Sequence, residues 1–595
     1  MAGSGSENFP IHYMVWSVLL NDHIKFTQIA KFLFFVSIIL WVPSPLHAQA
    51  ENVPTDHPVY RFLKRMEVKG IIERYYDAVL PLSRRQIAGF LKEVRTKERE
   101  LTGVEVDILE DFFTEFEYDV YGTTEGYHTL VDSREPSFGA AVSGMFTERQ
   151  KFLYAYADTN VTFFVDGLLT LDSRKSTSET LREKNATFVQ VGGRMRGTVF
   201  SRLGYYLQAT NAQFWGSREL LFRDKLISQS DGLAKTNARN FDFTEGYVRY
   251  DGDIVSAQLG RERLLWGNGY GDKLIASDNV RVYDFIRLDA EYKAFKYTFL
   301  HAWLLGSRSH VIFTLPSDTS HQFAEPVTAD KYFAAHRFSL SFPSLFDIGF
   351  QEMAIYSNRS PDLAYLNPLK LIESAQRSRD ERDNVLWAFD IKTRFVKGWQ
   401  LHAGIVFDHI NLPDWGTDVW SNLYAYQIGG MAVDPFGVPN VTLAAEYTRV
   451  EPYTFSHARS RDNSYTSGGR ILGHHIGSNA DSWFFRLDYL FSRKFISSFR
   501  FETQREGNNI YDAGMLVKNV GGDILQPHRG GKDADIKEFL GGNLVKTSRF
   551  QAFVVYEIVN QMFLEVRYEM QRRRELLKGT TTTEYDFGIA LRIDL

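Results

Sequence analysis

The chain has 595 residues, no cysteine, 15% aromatic residues, 44 glycines and nearly balanced charge, with 68 Lys and Arg against 73 Asp and Glu. This excludes disulfides, thiolate metal sites and a cysteine nucleophile, and it gives a nucleic-acid partner no electrostatic support. Beyond residue 50 no apolar stretch reaches the roughly 18 residues that a membrane-spanning helix needs, and the mean hydropathy of -0.27 is mildly polar. A length prior of about 150 residues per domain gives roughly four domains, but the aromatic and glycine richness points to one large β structure.

At the N-terminus, Lys25 and Lys31 precede an apolar run from Phe32 to Val42, which is followed by Pro43, Pro45 and Ala48-Gln49-Ala50. A basic start, a short apolar core, helix breakers and an A-x-A end predict a secretory signal peptide cut after Ala50. The run is too short to cross a bilayer core of about 30 Å. Residues 1–50 are therefore read as a signal peptide with a preceding extension, and the mature chain begins near Glu51, outside the cytoplasm.

Residues 51–120 carry helical spacing. Val59, Phe62, Leu63 and Met66 fall on one helical face before Gly70. Ser83 and Gln86 form a capping box ahead of Ile87, Phe90, Leu91 and Val94, and Thr102 and Glu105 repeat it ahead of Ile108, Leu109, Phe112, Phe113 and Phe116. Three short amphipathic helices predict a small N-terminal bundle that packs on a larger body.

From about residue 137 to 595 the period is 2. Tyr585, Phe587, Ile589, Leu591, Ile593 and Leu595 share one face, against Glu584, Asp586, Arg592 and Asp594 on the other. Trp483, Phe485, Leu487 and Tyr489 alternate with Arg486 and Asp488, and Trp387, Phe389 and Ile391 alternate with Asp390 and Lys392. Apolar faces recurring without a linker, opposite charged faces of both signs, predict an all-β transmembrane barrel. At roughly 25 residues per strand and loop, that is about 18 antiparallel strands. Such a barrel has room for a lumen, which its interleaved charges could plug or leave conducting.

Three segments carry more than periodicity. They are Leu259 to Asn279 with its Trp266-Gly267-x-Gly269 turn, Leu363 to Lys392 with Tyr365 to Pro368 and Asp390, and Arg470 to Tyr489 with Leu472-Gly473-His474, Ile476-Gly477 and Asp481. Together they resemble the capsule assembly Wzi family of outer-membrane proteins. The pattern departs from the family's at Asn268, where Pro is expected, and at the final Leu595, where barrels usually end in Phe. The resemblance implies an 18-stranded barrel with a periplasmic helical bundle that binds capsular or exopolysaccharide. It implies a monomer in contact with outer-membrane lipid and lipopolysaccharide, inserted by the barrel-assembly machinery, with no cofactor and no catalysis. A general or sugar-selective porin is the alternative.

Holding a polysaccharide needs aromatic platforms and forked donors for hydroxyls and carboxylates. Arg261, Arg263, Trp266, Asn268, Asp272 and Arg281 surround one strand-turn-strand and are the expected set. The bland alternative makes Trp266 an interface aromatic and pairs the arginines with lumen acids. Adjacent His474 and His475 on an extended chain point to opposite faces, so no metal site is expected. Gly267-x-Gly269-x-Gly271 lacks the helix that a phosphate loop requires. The polar Gly521 to Lys537 loop is read as solvated.

Overall fold

The computed structural model describes residues 49–595 except 132–143, 231–237, 316–317, 380–382, 410–411 and 415. The signal-peptide expectation falls on residues 1–48, outside the described residues, apart from Gln49 and Ala50.

Four helices follow: α1 (Val59–Val68), α2 (Arg84–Thr96), α3 (Gly103–Glu115) and α4 (Glu117–Tyr121). Both expected capping boxes form, Ser83 with Gln86 and Thr102 with Glu105. Each satisfies two backbone donors that a helix start leaves unpaired. Phe62, Leu63, Met66, Ile87, Leu91 and Phe112 bury their apolar stripes against one another.

The wall is one closed antiparallel sheet of 18 strands. In chain order these are β1 (Thr162–Ser176), β2 (Asn185–Val199), β3 (Leu203–Gly216), β4 (Asn240–Asp251), β5 (Val255–Glu262) and β6 (Tyr283–Tyr292). Next come β7 (Phe295–Leu315), β8 (Asp318–Phe342), β9 (Phe346–Ser357), β10 (Asn384–Thr393), β11 (Trp399–His409) and β12 (Leu423–Val433). The last are β13 (Val441–Val450), β14 (Ala480–Ser492), β15 (Phe495–Asn508), β16 (Asn543–Val559), β17 (Met562–Glu575) and β18 (Thr580–Asp594). The final strand closes the ring on the first, with Asp586 opposite Ser176 and Asp594 opposite Leu168. Closure leaves no strand edge unpaired, which lipid demands.

One end of the barrel has tight turns such as 252–254, 293–294 and 493–494. The other carries the long connections 217–239, 263–282, 358–383, 451–479 and 509–542. On the outer surface the expected aromatic rows are exposed: Trp387, Phe389 and Ile391; Trp483, Phe485 and Leu487; Tyr585, Phe587 and Ile589. The inner face is less uniformly polar than expected. On β6 to β10 it carries Phe285, Leu300, Ala302, Phe333, Met353, Ile355 and Leu386, all buried in one luminal cluster with Trp266 and Leu472 from the long connections. These strands are apolar inside because protein, not water, fills the lumen beside them.

The helical domain closes the tight-turn end through charges buried against the wall. Arg65 Nε donates to Glu105 Oε1 at 2.6 Å, and its Nη1 donates to the Val441 carbonyl at 2.8 Å and Thr442 Oγ1 at 2.9 Å. Asp434, in the β12–β13 turn, completes its shell. Lys392 on β10 reaches down to Glu67 at 2.7 Å and Asp77 at 2.6 Å. Buried ions of this kind add little net stability as complete pairs but are costly to break. Arg65→Ala leaves Glu105 and Asp434 with Lys69 as their remaining cation. It is expected to cost about 3–5 kcal/mol, read as a lower denaturation midpoint and earlier tryptic loss of α1 to α3 from an intact barrel.

Candidate functional site

The 263–282 connection does not arch over the barrel; it turns into it. Leu265–Trp266 pairs antiparallel with the short strand Val79–Leu80 of the helical domain, and Trp266 exchanges backbone hydrogen bonds of 2.8 and 3.1 Å with Ala276. Gly267 follows at φ +132, where it donates to the Ala78 carbonyl at 2.8 Å. That backbone region favours glycine because a Cβ is poorly tolerated there. The loop is then pinned to the wall by carboxylates. Asn268 Nδ2 donates to Asp390 Oδ1 at 2.7 Å, and Asp390 is clamped by both Arg337 terminal nitrogens at 2.6 and 2.8 Å and by Gln351 at 2.8 Å. Tyr270 N and Gly271 N donate to Glu446 of β13 at 2.7 and 3.2 Å.

The 451–479 connection enters from the same end and joins it. Ser277 N donates to the Leu472 carbonyl at 2.8 Å, and Asn279 Nδ2 bonds the Gly473 carbonyl. At the junction Asp272 accepts from His475 Nδ1 at 2.9 Å and from Lys225 Nζ at 2.7 Å, while His475 Nε2 faces Glu502 of β15 at 3.2 Å. Burial alone would lower the His475 pKa, but Glu502 and Asp272 outweigh it and push it up to about 10. His475 is therefore an imidazolium clamped between two carboxylates. Burial opposes ionisation of Asp272 too, yet His475 and Lys225 hold its carboxyl well below the usual range. His474 is pushed down to about 4 by burial, with the His475 charge adding to the effect.

The histidine expectation needs correction. The two rings stack at 4.8 Å, and with Asp272 they offer ligand atoms within 4.8 Å of one another. Residues 474–476 follow a turn, not an extended strand, so neighbouring side chains are not forced apart. His475 meets Asp272 through Nδ1 and Glu502 through Nε2, so both of its ring nitrogens are engaged by carboxylates.

The six anticipated residues do not form one surface. Arg261 lies on the outer face, exposed and paired with Asp284 at 2.8 Å. Arg263 follows it, half-buried near Glu245. Trp266 is 1% exposed in the luminal core, with no hydrogen-bond partner for Nε1 among the described residues. In this position it fills space and presents no ring to a ligand. Asn268 and Asp272 are internal struts. Arg281 is at the long-loop mouth, where Nη2 donates to the Ser230 carbonyl at 3.2 Å. Burial lowers its pKa, and the nearby Arg470 and Arg308 add to that effect.

Above the His475 clamp, a cavity of about 390 Å³ opens between the 451–479 and 509–542 connections. Its lining includes His475, Ser478, Asn508, Asn509, Tyr511 and Asp523. The Tyr511 ring is 49% exposed, and the buried Asn509 Nδ2 lacks a partner among the described residues. Ile471 is also in the lining, and Arg470 precedes it in the same connection. The set offers a flat ring, amide donors and acceptors, and cations at the edge. The size falls within the range of small-ligand clefts, about 300–1,000 Å³. Tyr511, Asn508, Asn509 and Asp523 were not anticipated, although the Asn508-Asn509 pair and Gly521-Gly522-Asp523 mark the turns that shape the cavity.

The model of the capsule assembly protein Wzi family matches residues 172–584, more than half of the chain. The chain belongs to the capsule assembly Wzi family. No curated protein sequence matches it. Among solved structures, it is similar to Wzi of Escherichia coli, described as an outer membrane protein involved in group 1 capsule assembly and a carbohydrate-binding β-barrel. The two are 11% identical, over 91% of this chain and 99% of that one, with a TM-score of 0.53. The Pseudomonas aeruginosa protein OprD (10% identical, 73% of this chain, 95% of that one) and a BenF-like porin of Pseudomonas fluorescens Pf-5 (10%, 73%, 99%) reach TM-scores of 0.39 and 0.38. The Wzi-family match covers most of the wall and the luminal connections, and the helical domain precedes it.

The clamp sets a pH dependence. His475 is raised from 6.5 to about 10, so its stabilisation is complete below about 6.5 and is lost as the pH climbs towards 10. Asp272 is depressed, so its stabilisation holds above about 3.8 and is lost on acidification through its lowered value. His474 opposes on the acid side, costing stability as the pH falls from 6.5 towards 4. In planar bilayers the wild-type Wzi-family barrel is expected to show no large steady conductance at neutral pH and fluctuating openings near pH 10. In Asp272→Asn those openings should move towards neutrality, and deleting 266–276 should give a steady pore.

Proposed function

We propose that this Wzi-family protein binds an acidic surface polysaccharide at its long-loop mouth and keeps that polymer attached to the outer membrane. The observation that carries the reading is the 390 Å³ cavity above a protein-filled lumen, at the same long-loop end as the clustered Arg281, Arg308 and Arg470. Long loops of outer-membrane barrels face outward and short turns face the periplasm, which supports a cavity at the cell surface and a helical domain in the periplasm. Tyr511 supplies a face for an apolar sugar ring. Asn508 and Asp523 supply hydroxyl partners, and the arginines supply forked contacts for uronate or other anionic groups. Arg281 thus keeps a contact role, while Asn268 and Asp272 position the floor. The carbohydrate binding described for Escherichia coli Wzi supports a polysaccharide as the class of ligand.

The same geometry supports a binding protein over the rival classes. Among the described residues Asp523 is the single carboxylate in the lining of the cavity, whereas glycoside hydrolysis takes two carboxyl groups flanking the bond. A porin needs an open lumen, and here two inward connections and the helical domain occupy it. Purified protein is expected to bind an acidic capsular polysaccharide, with binding weakened by salt. Tyr511→Ala and Arg281→Ala/Arg470→Ala should each lower the affinity about tenfold or more, roughly 1.4 kcal/mol, without changing the denaturation midpoint. In cells, deleting the coding region should shift polysaccharide from the cell-associated to the released fraction, and unchanged retention would contradict the reading.

For export, we place the signal-peptide cut after Ala48 instead of Ala50. Gln49 and Ala50 are buried members of the folded domain. Gln49 N donates to Asp119 Oδ1 at 3.2 Å, Gln49 Oε1 accepts from Arg196 at 2.8 Å, and Ala50 N donates to Thr198 Oγ1 at 2.8 Å. Gly204 leaves room for this strap, since a Cβ there would come within 2.6 Å of Glu51 N. The N-terminal residue of protein isolated from outer membranes is expected to be Gln49 by mass spectrometry; Glu51 would restore the A-x-A cut.

A further inference from the structure

The connection 358–383 behaves unlike the two that enter the lumen: it folds down the outside of the barrel. On β7, β8 and β9 the residues facing away from the lumen include Phe299, His301, His336, Glu352 and Tyr356, and all are at most 3% exposed. Their cover is this connection, with its short helices Leu363–Leu366 and Ile372–Arg379. Ile372 N and Glu373 N donate to the two Glu352 oxygens at 2.7 and 2.8 Å, and Asp362 N donates to Tyr356 Oη at 3.1 Å. Tyr365 packs on Tyr356 with ring centres 4.9 Å apart, and Tyr297 Oη bonds the Pro368 carbonyl.

Strand register gives the depth. Glu352 pairs with Trp387, and Phe350, next down the outer face, pairs with Phe389 and with Phe338, which pairs with Tyr297. Trp387 and Phe389 belong to the exposed aromatic belt, at 40% and 44%. The segment therefore reaches the level of residues that face lipid. A carboxylate and two imidazoles on a bare outer wall at this level would be costly in hydrocarbon. Covered, they are hydrogen-bonded within protein. The outer side of the cover carries three exposed leucines, Leu363, Leu369 and Leu371 at 77%, 90% and 52%, beside Asn367, Ser374 and Arg377, the last paired with Glu373.

We propose that residues 358–379 form a lipid-immersed flap whose partner is the acyl chains of the outer leaflet, contacted by Leu363, Leu369 and Leu371. The flap replaces the lipid-facing surface of three strands where their outer face carries His301, His336 and Glu352. The absence of cysteine makes the test direct, because single-cysteine variants need no background removal. Leu363→Cys and Leu369→Cys carry a nitroxide spin label in phosphatidylcholine vesicles, with Phe389→Cys as lipid-facing reference and Asp253→Cys, in a tight turn, as water-facing reference. Labels at 363 and 369 should be relaxed several-fold more by oxygen than by an aqueous nickel chelate, as at 389. Relaxation by nickel as strong as at 253 would overturn the proposal, and so would exclusion of both reagents at 369, the signature of a second protein copy. Hydroxyl-radical footprinting of the unmodified protein in the same vesicles gives an independent reading. Leu369 should stay unmodified while Leu577, exposed in the 576–579 turn, is oxidised; equal modification would also overturn it.

Discussion

The constraint behind the whole structure is the volume enclosed by a closed sheet of 18 strands. Lipid forbids an open edge, so the sheet must close, and a ring of this size is too wide for its own side chains to fill. The chain meets that constraint from both ends. The helical domain enters past the tight turns, and the 263–282 and 451–479 connections descend from the other side. They meet where Leu265–Trp266 pairs with Val79–Leu80, giving the filling a hydrogen-bonded join. The inner wall changes character with what it touches. It is apolar where Phe285, Leu300 and Met353 pack on Trp266 and Leu472, and ionic where Lys392 and Arg337 reach Asp77 and Asp390.

Ionic contacts pin the filling to the wall for a physical reason. A lumen wall of alternating strands places charged groups among its inward residues, and a charge enclosed by protein must be paired or neutralised. Asp390, Glu446 and Glu502 are wall carboxylates that would face water in a porin. Here each is met by a donor from an inward connection: Asn268, the Tyr270 and Gly271 amides, and His475. Since such pairs are expensive to break singly and modest in net gain, they fix position more than they add stability.

The period-2 alternation and the two capping boxes are local signals, and they made the barrel, the helices and the lipid-facing rows at Trp387, Trp483 and Tyr585 legible in the sequence. What a connection does after leaving the wall is not local. Trp266 read alone is as good a sugar platform as Tyr511; only the inward course of its loop buries it. The same holds for His474 and His475, whose turn geometry replaced the alternation expected of an extended chain. The outer flap left a trace that periodicity contained: His301, His336 and Glu352 share parity with lipid-facing Phe295 and Leu340. A polar residue on the lipid parity of a barrel strand signals either a misplaced register or a cover, and here it is a cover.

Filling the lumen also determines where recognition can occur. A pore selects solutes along its length, but a filled barrel exposes to the outside only the top of its filling and the loops around it. In this chain that top is the His475 clamp, held by Asp272 and Glu502 and shared between two connections. The cavity above it is therefore floored by the same residues that lock the plug. A polymer resting on Tyr511 and the arginine rim would bear on a rigid surface, with little ordering left to do on binding. In the proposed function one set of contacts serves two ends, filling the barrel and offering a preorganised face to a chain too long to enter.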